Sequence, residues 1–253
     1  MNLLQVDALN FSYARDGRRI PAVRSVSLAM AEGEVLGIVG ESGCGKSSLA
    51  RCLVGLSRPD SGRIAMSGAD ITHRRSREQR RSMQMVFQDP RSSLNPRMSV
   101  FEQIEEGWRT HKAIRPDAPR EDASELLERV GLGAAYLDRR PSELSGGQAQ
   151  RVSIARALAV SPHLLICDEA VSALDVSVQT QVLKLLAEIR AELNLAMIFI
   201  SHDLGVVRQI SDRVAVMYRG EIVEMEPVET LFQNPRHDYS RSLLGSALDM
   251  AGI

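Results

Sequence analysis

Cysteine is scarce in this chain of 253 residues. Cys44, Cys52 and Cys167 are odd in number and lack metal-ligand spacing, which argues against a disulfide framework or a cysteine metal site. Each is expected to be a reduced, small packing residue. Long apolar runs are also missing. None approaches the roughly 20 residues that cross a bilayer, and the best, residues 195–200, reads as a core strand. Residues 1–7 have no basic start and no long apolar stretch, so no signal peptide is expected and the chain is expected to stay in the cytoplasm. An excess of one charge is absent too. The formal net charge is -1, which leaves no global basic field for nucleic acid or a membrane surface. Lysine occurs only at Lys46, Lys112 and Lys184. What remains is an ordinary globular composition, 44% hydrophobic and 25% charged, long enough for one large α/β domain or two small ones.

What is present centres on Gly40-Glu41-Ser42-Gly43-Cys44-Gly45-Lys46-Ser47, with Ser48 behind it. The pattern is that of a phosphate-binding loop. Residues 35–39 before it read as a buried strand, and residues 48–54 after it have helical spacing. Glycines let backbone N–H groups turn inward around an anion, and the helix start adds its positive dipole end. In such a loop Lys46 reaches the β- and γ-phosphates and the Ser47 hydroxyl ligates Mg²⁺. A chance glycine loop before a helix is the competing reading, and the strand–loop–helix context weighs against it.

Taken in order, residues 3–11 read as a first strand, followed by a polar turn over residues 14–19 and a second strand over residues 23–30. On its own, Tyr13 reads as a half-buried strand residue. Residues 63–66 are a short strand. The Arg-rich residues 72–81 read as a solvated helix face in preference to a nucleic-acid patch, because no aromatics are interleaved. Residues 83–87 form a strand closed by Gln88-Asp89-Pro90. From residue 91 to about 141 strand patterns vanish. Helix-like stretches appear at residues 101–108 and 122–130, separated by a connector with two prolines.

Leu144-Ser145-Gly146-Gly147-Gln148 then opens a long helix. It is either a second anion-seeking terminus or an ordinary capped helix start. An apolar run ends in the adjacent carboxylates Asp168 and Glu169, which suit a metal and a water. Residues 176–193 form an amphipathic helix, and the next strand, residues 196–200, ends at His202. Gln88, Glu169 and His202 all follow core strands, and ligands bind at that edge of open parallel sheets. A hairpin around Arg219-Gly220 and a polar helical tail finish the chain.

These stretches together resemble the ATP-binding subunits of ABC transporters over nearly the whole length. The resemblance implies an α/β fold, a P-loop NTPase (RecA-like) mixed sheet core with an antiparallel β subdomain and an inserted α-helical subdomain at about residues 91–160. The whole would be a single domain, residues 1–253, with a short tail from about 226. It implies ATP and Mg²⁺ as ligands. Ser47, Gln88 and Asp168 would hold the metal, Glu169 would be the catalytic base, and His202 and Gln88 would sense the γ-phosphate. Ser145, Gly146, Gly147 and Gln148 would close over the partner subunit's ATP. Tyr13, by the same resemblance, becomes the aromatic that stacks on adenine.

Implied partners are membrane permease subunits, a paralogous or identical ATPase subunit and, indirectly, an extracytoplasmic binding protein, with no nucleic acid. The implied place is the cytoplasmic face of the inner membrane. Residues 87–98 and 234–244 are similar to the peptide and nickel importer branch, and residues 169–175 to its nickel or metallophore members. No cysteine follows Cys167, so no iron–sulfur role is expected. The competing functions are a soluble ABC-type ATPase acting on DNA or ribosomes, disfavoured by the lack of coiled-coil arms, and the ATPase of an exporter.

Overall fold

The computed structural model describes residues 2–15 and 17–251. Asp16 of the expected turn and the last two residues of the expected tail lie outside them. The chain divides into two compact units, residues 1–76 with 196–253, and residues 77–195.

The first unit begins with β1 (Asn2–Arg15) and β2 (Arg18–Ala31), longer than the sequence suggests. They pair antiparallel, with Leu4 opposite Met30, Val6 opposite Leu28 and Leu9 opposite Val26, all six buried. Alternation alone would have turned Leu9 to the other face from Val6. A register shift at the positive-φ residue Ala8 brings both to the core, which is what a β-bulge does. Next come β3 (Val35–Val39), α1 (Lys46–Val54), β4 (Ser61–Met66) and β5 (Ala69–Asp70). β4 joins the antiparallel layer on β1, giving the order β2-β1-β4-β5.

The second unit contains α2 (Arg77–Arg81), β6 (Met83–Val86), α3 (Pro90–Ser93), α4 (Val100–Thr110), α5 (Pro119–Arg129), α6 (Gly146–Leu158), β7 (Leu164–Asp168) and α7 (Val176–Leu193). β6 and β7 pair in parallel, Met85 opposite Ile166. Between Pro90 and Leu158 only helices and turns occur. In α4, Val100, Ile104 and Trp108 recur every four residues and are buried, as one helix face requires. The Trp108 indole N–H donates to the Ala159 carbonyl just past α6 at 2.7 Å. α5 starts earlier than its apolar spacing suggests, at Pro119, where a proline fits the first helical turn.

The chain then returns to the first unit with β8 (Ala196–Ile200), α8 (Leu204–Ile210), β9 (Arg213–Tyr218), β10 (Glu221–Pro227), α9 (Val228–Gln233) and α10 (Asp238–Ala251). β3 pairs in parallel with β8 and with β9, and β10 pairs antiparallel to β9. β3 and β8 are buried at every residue, the continuous apolar run of a strand covered on both faces. Arg219 and Gly220, both at positive φ, make the two-residue turn between β9 and β10, as right-handed strand twist favours. The Arg-rich stretch is helical only over α2. Ahead of it, Arg75 donates to the carbonyls of Cys52 and Leu53 at the end of α1, so it caps a helix and does not face solvent alone.

Candidate active site

In the first unit the loop between β3 and α1 is shaped by glycines that cannot be replaced. Gly40 has φ 148°, and a Cβ there would stand 2.1 Å from the Met217 carbonyl oxygen of β9. Gly45 has φ 111°, and its Cβ would stand 2.1 Å from the Ala22 carbonyl oxygen of β2. Both distances are impossible, so the loop lies directly on two backbones. The turn after β9 supports it as well, because Gly220 N–H donates to the Cys44 carbonyl at 2.9 Å.

α1 starts on Gly45 in the left-handed conformation, with no side chain capping its first turn. This leaves its leading N–H groups and positive dipole end for an outside anion. Lys46 is buried, 5% exposed, and its ammonium donates to the Gly40 carbonyl at 2.7 Å and the Glu41 carbonyl at 2.9 Å. It also lies 3.8 Å from Cys44 Sγ, and these neutral partners supply no counter-charge, which suits the ammonium to exchange them for a phosphate. Glu41, Ser42 and Gly43 are exposed along the loop, and Ser47 is half-buried. Ser48 is buried and bonded to the Tyr13 hydroxyl at 3.0 Å. The Tyr13 ring is 40% exposed and lies edge-on to Phe11, with centroids 4.8 Å apart. It is therefore tethered at its tip with a face available for stacking.

His202 follows β8. It is exposed between buried Ser201 and Asp203, which caps α8 through Val206 N–H at 3.1 Å. Burial pushes the Cys44 thiol up from its ordinary value, against a smaller downward pull from Lys46. Burial pushes the Cys52 and Cys167 thiols up to about 12. All three are free and buried, matching the reduced packing role expected of them.

The second unit carries the acidic pair. Asp168 ends β7 and is 7% exposed. Glu169 has φ 49°, a conformation a non-glycine residue adopts only when its surroundings enforce it. Ser172 enforces it here, donating from N–H and hydroxyl to the Glu169 carbonyl at 3.1 and 2.9 Å. The Gln88 amide nitrogen donates to the Glu169 carboxylate at 2.8 Å. A carboxylate only accepts, so the amide nitrogen faces Glu169 and the Gln88 carbonyl oxygen is turned elsewhere, where it can ligate a cation.

Within this unit the α6 start differs from that of α1. Ser145 accepts from Gln148 N–H at 3.3 Å, and the Gln148 side-chain oxygen accepts from Ser145 N–H at 2.9 Å, completing a capping box. The Gln148 amide nitrogen donates to the Tyr136 hydroxyl at 3.0 Å. Gly147 lies against α7, since a Cβ would come within 2.5 Å of Val178 Cγ1, and Gly146 faces Leu174. Sequence reasoning missed Tyr136 and also Tyr239, whose hydroxyl accepts from Glu41 N–H at 2.9 Å. Nothing short of the folded chain brings residues so far apart in sequence together.

Each unit offers oxygen donors for a metal, the Ser47 hydroxyl in the first and the Gln88 amide oxygen and Asp168 carboxylate in the second, and oxygen is the donor type that Mg²⁺ takes.

Residues 23–172 match the family model described as ABC transporter. The chain is 49% identical to a probable peptide ABC transporter ATP-binding protein of Sinorhizobium fredii, over 97% of this chain and 72% of that protein. It is 45% identical to the oligopeptide transport ATP-binding protein OppF of Bacillus subtilis, over 96% of this chain and 82% of that protein. Among solved structures, cbiO1 from Clostridium perfringens, part of the ABC transporter complex cbiONQ, superposes with a TM-score of 0.80 at 29% identity, covering 99% of this chain and 97% of that one. An ATP-binding cassette solved as a dimer in a post-hydrolysis state, bound to ADP and Pi, also gives 0.80 at 28% identity, over 89% and 98% of the two chains. These matches agree with the α/β P-loop architecture built above, and the chain belongs to the ABC transporter family as one of its ATPases.

Proposed function

We propose that this chain is the ATP-hydrolysing subunit of a peptide importer. It would sit at the cytoplasmic face of the membrane through permease subunits and pair with a paralogous or identical ATPase. Among the described residues no helix is long and apolar enough to cross a membrane. The phosphates of ATP lie on the loop of residues 40–47, with Lys46 leaving the Gly40 and Glu41 carbonyls to meet the β- and γ-phosphates. Tyr13 stacks on adenine. Ser47, Gln88 and Asp168 would hold Mg²⁺, which when bound would neutralise charge on the phosphates.

Glu169 orients a water and takes its proton as the water oxygen bonds to the γ-phosphorus. The bond from that phosphorus to the bridging oxygen breaks, and the electron pair leaves with ADP. Gln88 steadies the Glu169 carboxylate, and His202 contacts the γ-phosphate. The α6 start acts on ATP held by the other subunit.

The observation that carries the reading is the Gln88–Glu169 hydrogen bond at 2.8 Å, which joins the metal-ligand candidate to the base candidate. The peptide substrate is supported by the relatives' names; nickel and metallophores are the alternatives within the same branch. The test is uptake of labelled oligopeptide and of nickel by cells lacking this chain, complemented with wild type or Glu169→Gln. Peptide uptake restored by wild type alone supports the reading. Restored nickel uptake with no effect on peptide would redirect it to metal. In vitro, Glu169→Gln is expected to keep ATP binding and to lower turnover by about 100-fold or more.

A further inference from the structure

The tail of the first unit reaches back to the phosphate loop. Glu224 of β10, 8% exposed, accepts from the backbone N–H groups of Arg236 at 2.7 Å and His237 at 3.0 Å, tying down the chain just before α10. Arg236 also pairs with Glu226 at 3.2 Å. Two residues on, Tyr239 stacks on Tyr218 at the end of β9, with ring centroids 4.1 Å apart and planes 29° from parallel. Its backbone N–H donates to His237 Nδ1 at 3.1 Å. The stacked ring brings its hydroxyl to 2.9 Å from Glu41 N–H.

The peptide unit involved is the decisive detail. The Gly40 carbonyl and the Glu41 N–H belong to one planar amide. Lys46 holds the carbonyl end at 2.7 Å and Tyr239 holds the N–H end at 2.9 Å. Gly40 sits at φ 148°, where glycine has wide freedom, so this plane has little intrinsic reason to keep its orientation. In the ATP-binding reading above, on which this inference rests, Lys46 turns to the phosphates and the carbonyl end loses its ammonium. The Tyr239 hydroxyl is then the remaining side-chain hold on that plane.

We propose that Tyr239 is a positioning residue for ATP binding: its hydroxyl keeps the 40–41 peptide oriented while Lys46 exchanges loop carbonyls for phosphate oxygens. Tyr218 supplies the platform and Glu224 the anchor. The tail thus belongs to the nucleotide site and is not only an appendage of β10.

The test uses the full chain. Tyr239→Phe removes the hydroxyl and keeps the stacked ring. It is expected to raise the Kd for ATP about fivefold, the net effect of one ordinary hydrogen bond. Hydrogen exchange at the Glu41 amide is expected to accelerate in the ATP-bound protein. Tyr239→Leu, which also loses the stack, should weaken ATP further. Wild-type ATP affinity in Tyr239→Phe overturns the proposal, whether or not exchange accelerates, and so does unchanged exchange with ATP bound. Lys46→Ala separates the two readings. If it leaves ATP affinity unchanged, the loop is not the ATP site. If it abolishes binding while Tyr239→Phe does nothing, only the positioning role fails.

Discussion

The starts of α1 and α6 look alike in sequence, each a glycine-rich turn into a helix, but they are finished in opposite ways. α1 begins on a left-handed glycine with no side-chain cap and a buried lysine folded across its own loop. α6 is closed by its own side chains, Ser145 and Gln148 serving each other's N–H groups. The first terminus has no side-chain cap and presents its dipole end in a form suited to an anion. The second is complete as it stands, leaving Gly146 and Gly147 as the part of the turn that can meet a ligand from outside. Under the proposed function the first start is a cradle and the second a lid, and a lid must stand unoccupied between encounters.

The sharpest way to break this comparison is to place the same methyl group in each turn. Gly45→Ala forces a Cβ against a backbone carbonyl at positive φ, with no side chain to yield. ATP affinity should fall by about 100-fold or more in a nucleotide titration, in line with about 3 kcal/mol of backbone strain and lost contacts. Gly147→Ala meets only the Val178 side chain of α7, and that contact can shift. ATP binding by the isolated chain should stay normal, while turnover of the assembled transporter drops by about 100-fold, as displacing a positioned N–H donor does. Equal loss of ATP binding in both would mean that the two turns do the same work.

A smaller effect tests the caps themselves. Ser145→Ala should lower stability by about 1 kcal/mol. A melting temperature lower by roughly 2–4 °C would register it. No equivalent substitution exists at α1, where no side chain caps the helix.

The smallest effect separates the helices by their thiols. Cys52 is buried in α1, and α6 contains no cysteine. Its folded pKa is raised from 9.0 to about 12, so the unfolded chain loses the proton first. The stabilising difference is full below about pH 9 and is lost as pH climbs from there toward 12. Denaturant midpoints at pH 8 and pH 10 should therefore differ less in Cys52→Ala than in wild type.

Much of this was legible from local pattern. Gly40, Gly45 and Lys46 announce the loop because their chemistry is set by immediate neighbours in the chain. Ser145 was legible as a helix cap for the same reason, and the structure bears out that reading with Gln148 completing the box; the anion-seeking reading of the same turn belongs to the proposed function. Gln88 and Glu169 were picked out separately by their places at strand ends; their hydrogen bond required the fold. The bulge at Ala8 was invisible because an alanine at positive φ has no local signature. The start of α5 was misplaced because Pro119 reads as a breaker unless its position at the first turn is known. Tyr239 was out of reach because its partner at Glu41 is 198 residues away.

One further consequence follows from Trp108. It is the single tryptophan of the chain, it is 3% exposed, and its indole is tied to the end of α6. Intrinsic tryptophan fluorescence of this protein is therefore a one-channel signal from the helical part of residues 77–195. Emission should be blue-shifted and shielded from aqueous quenchers. Any change in it on adding nucleotide reports a rearrangement around α4 and α6, with no background from the sheet that carries the phosphate loop. The molecule thus comes with its own optical label, carried on α4 and tied to the end of α6.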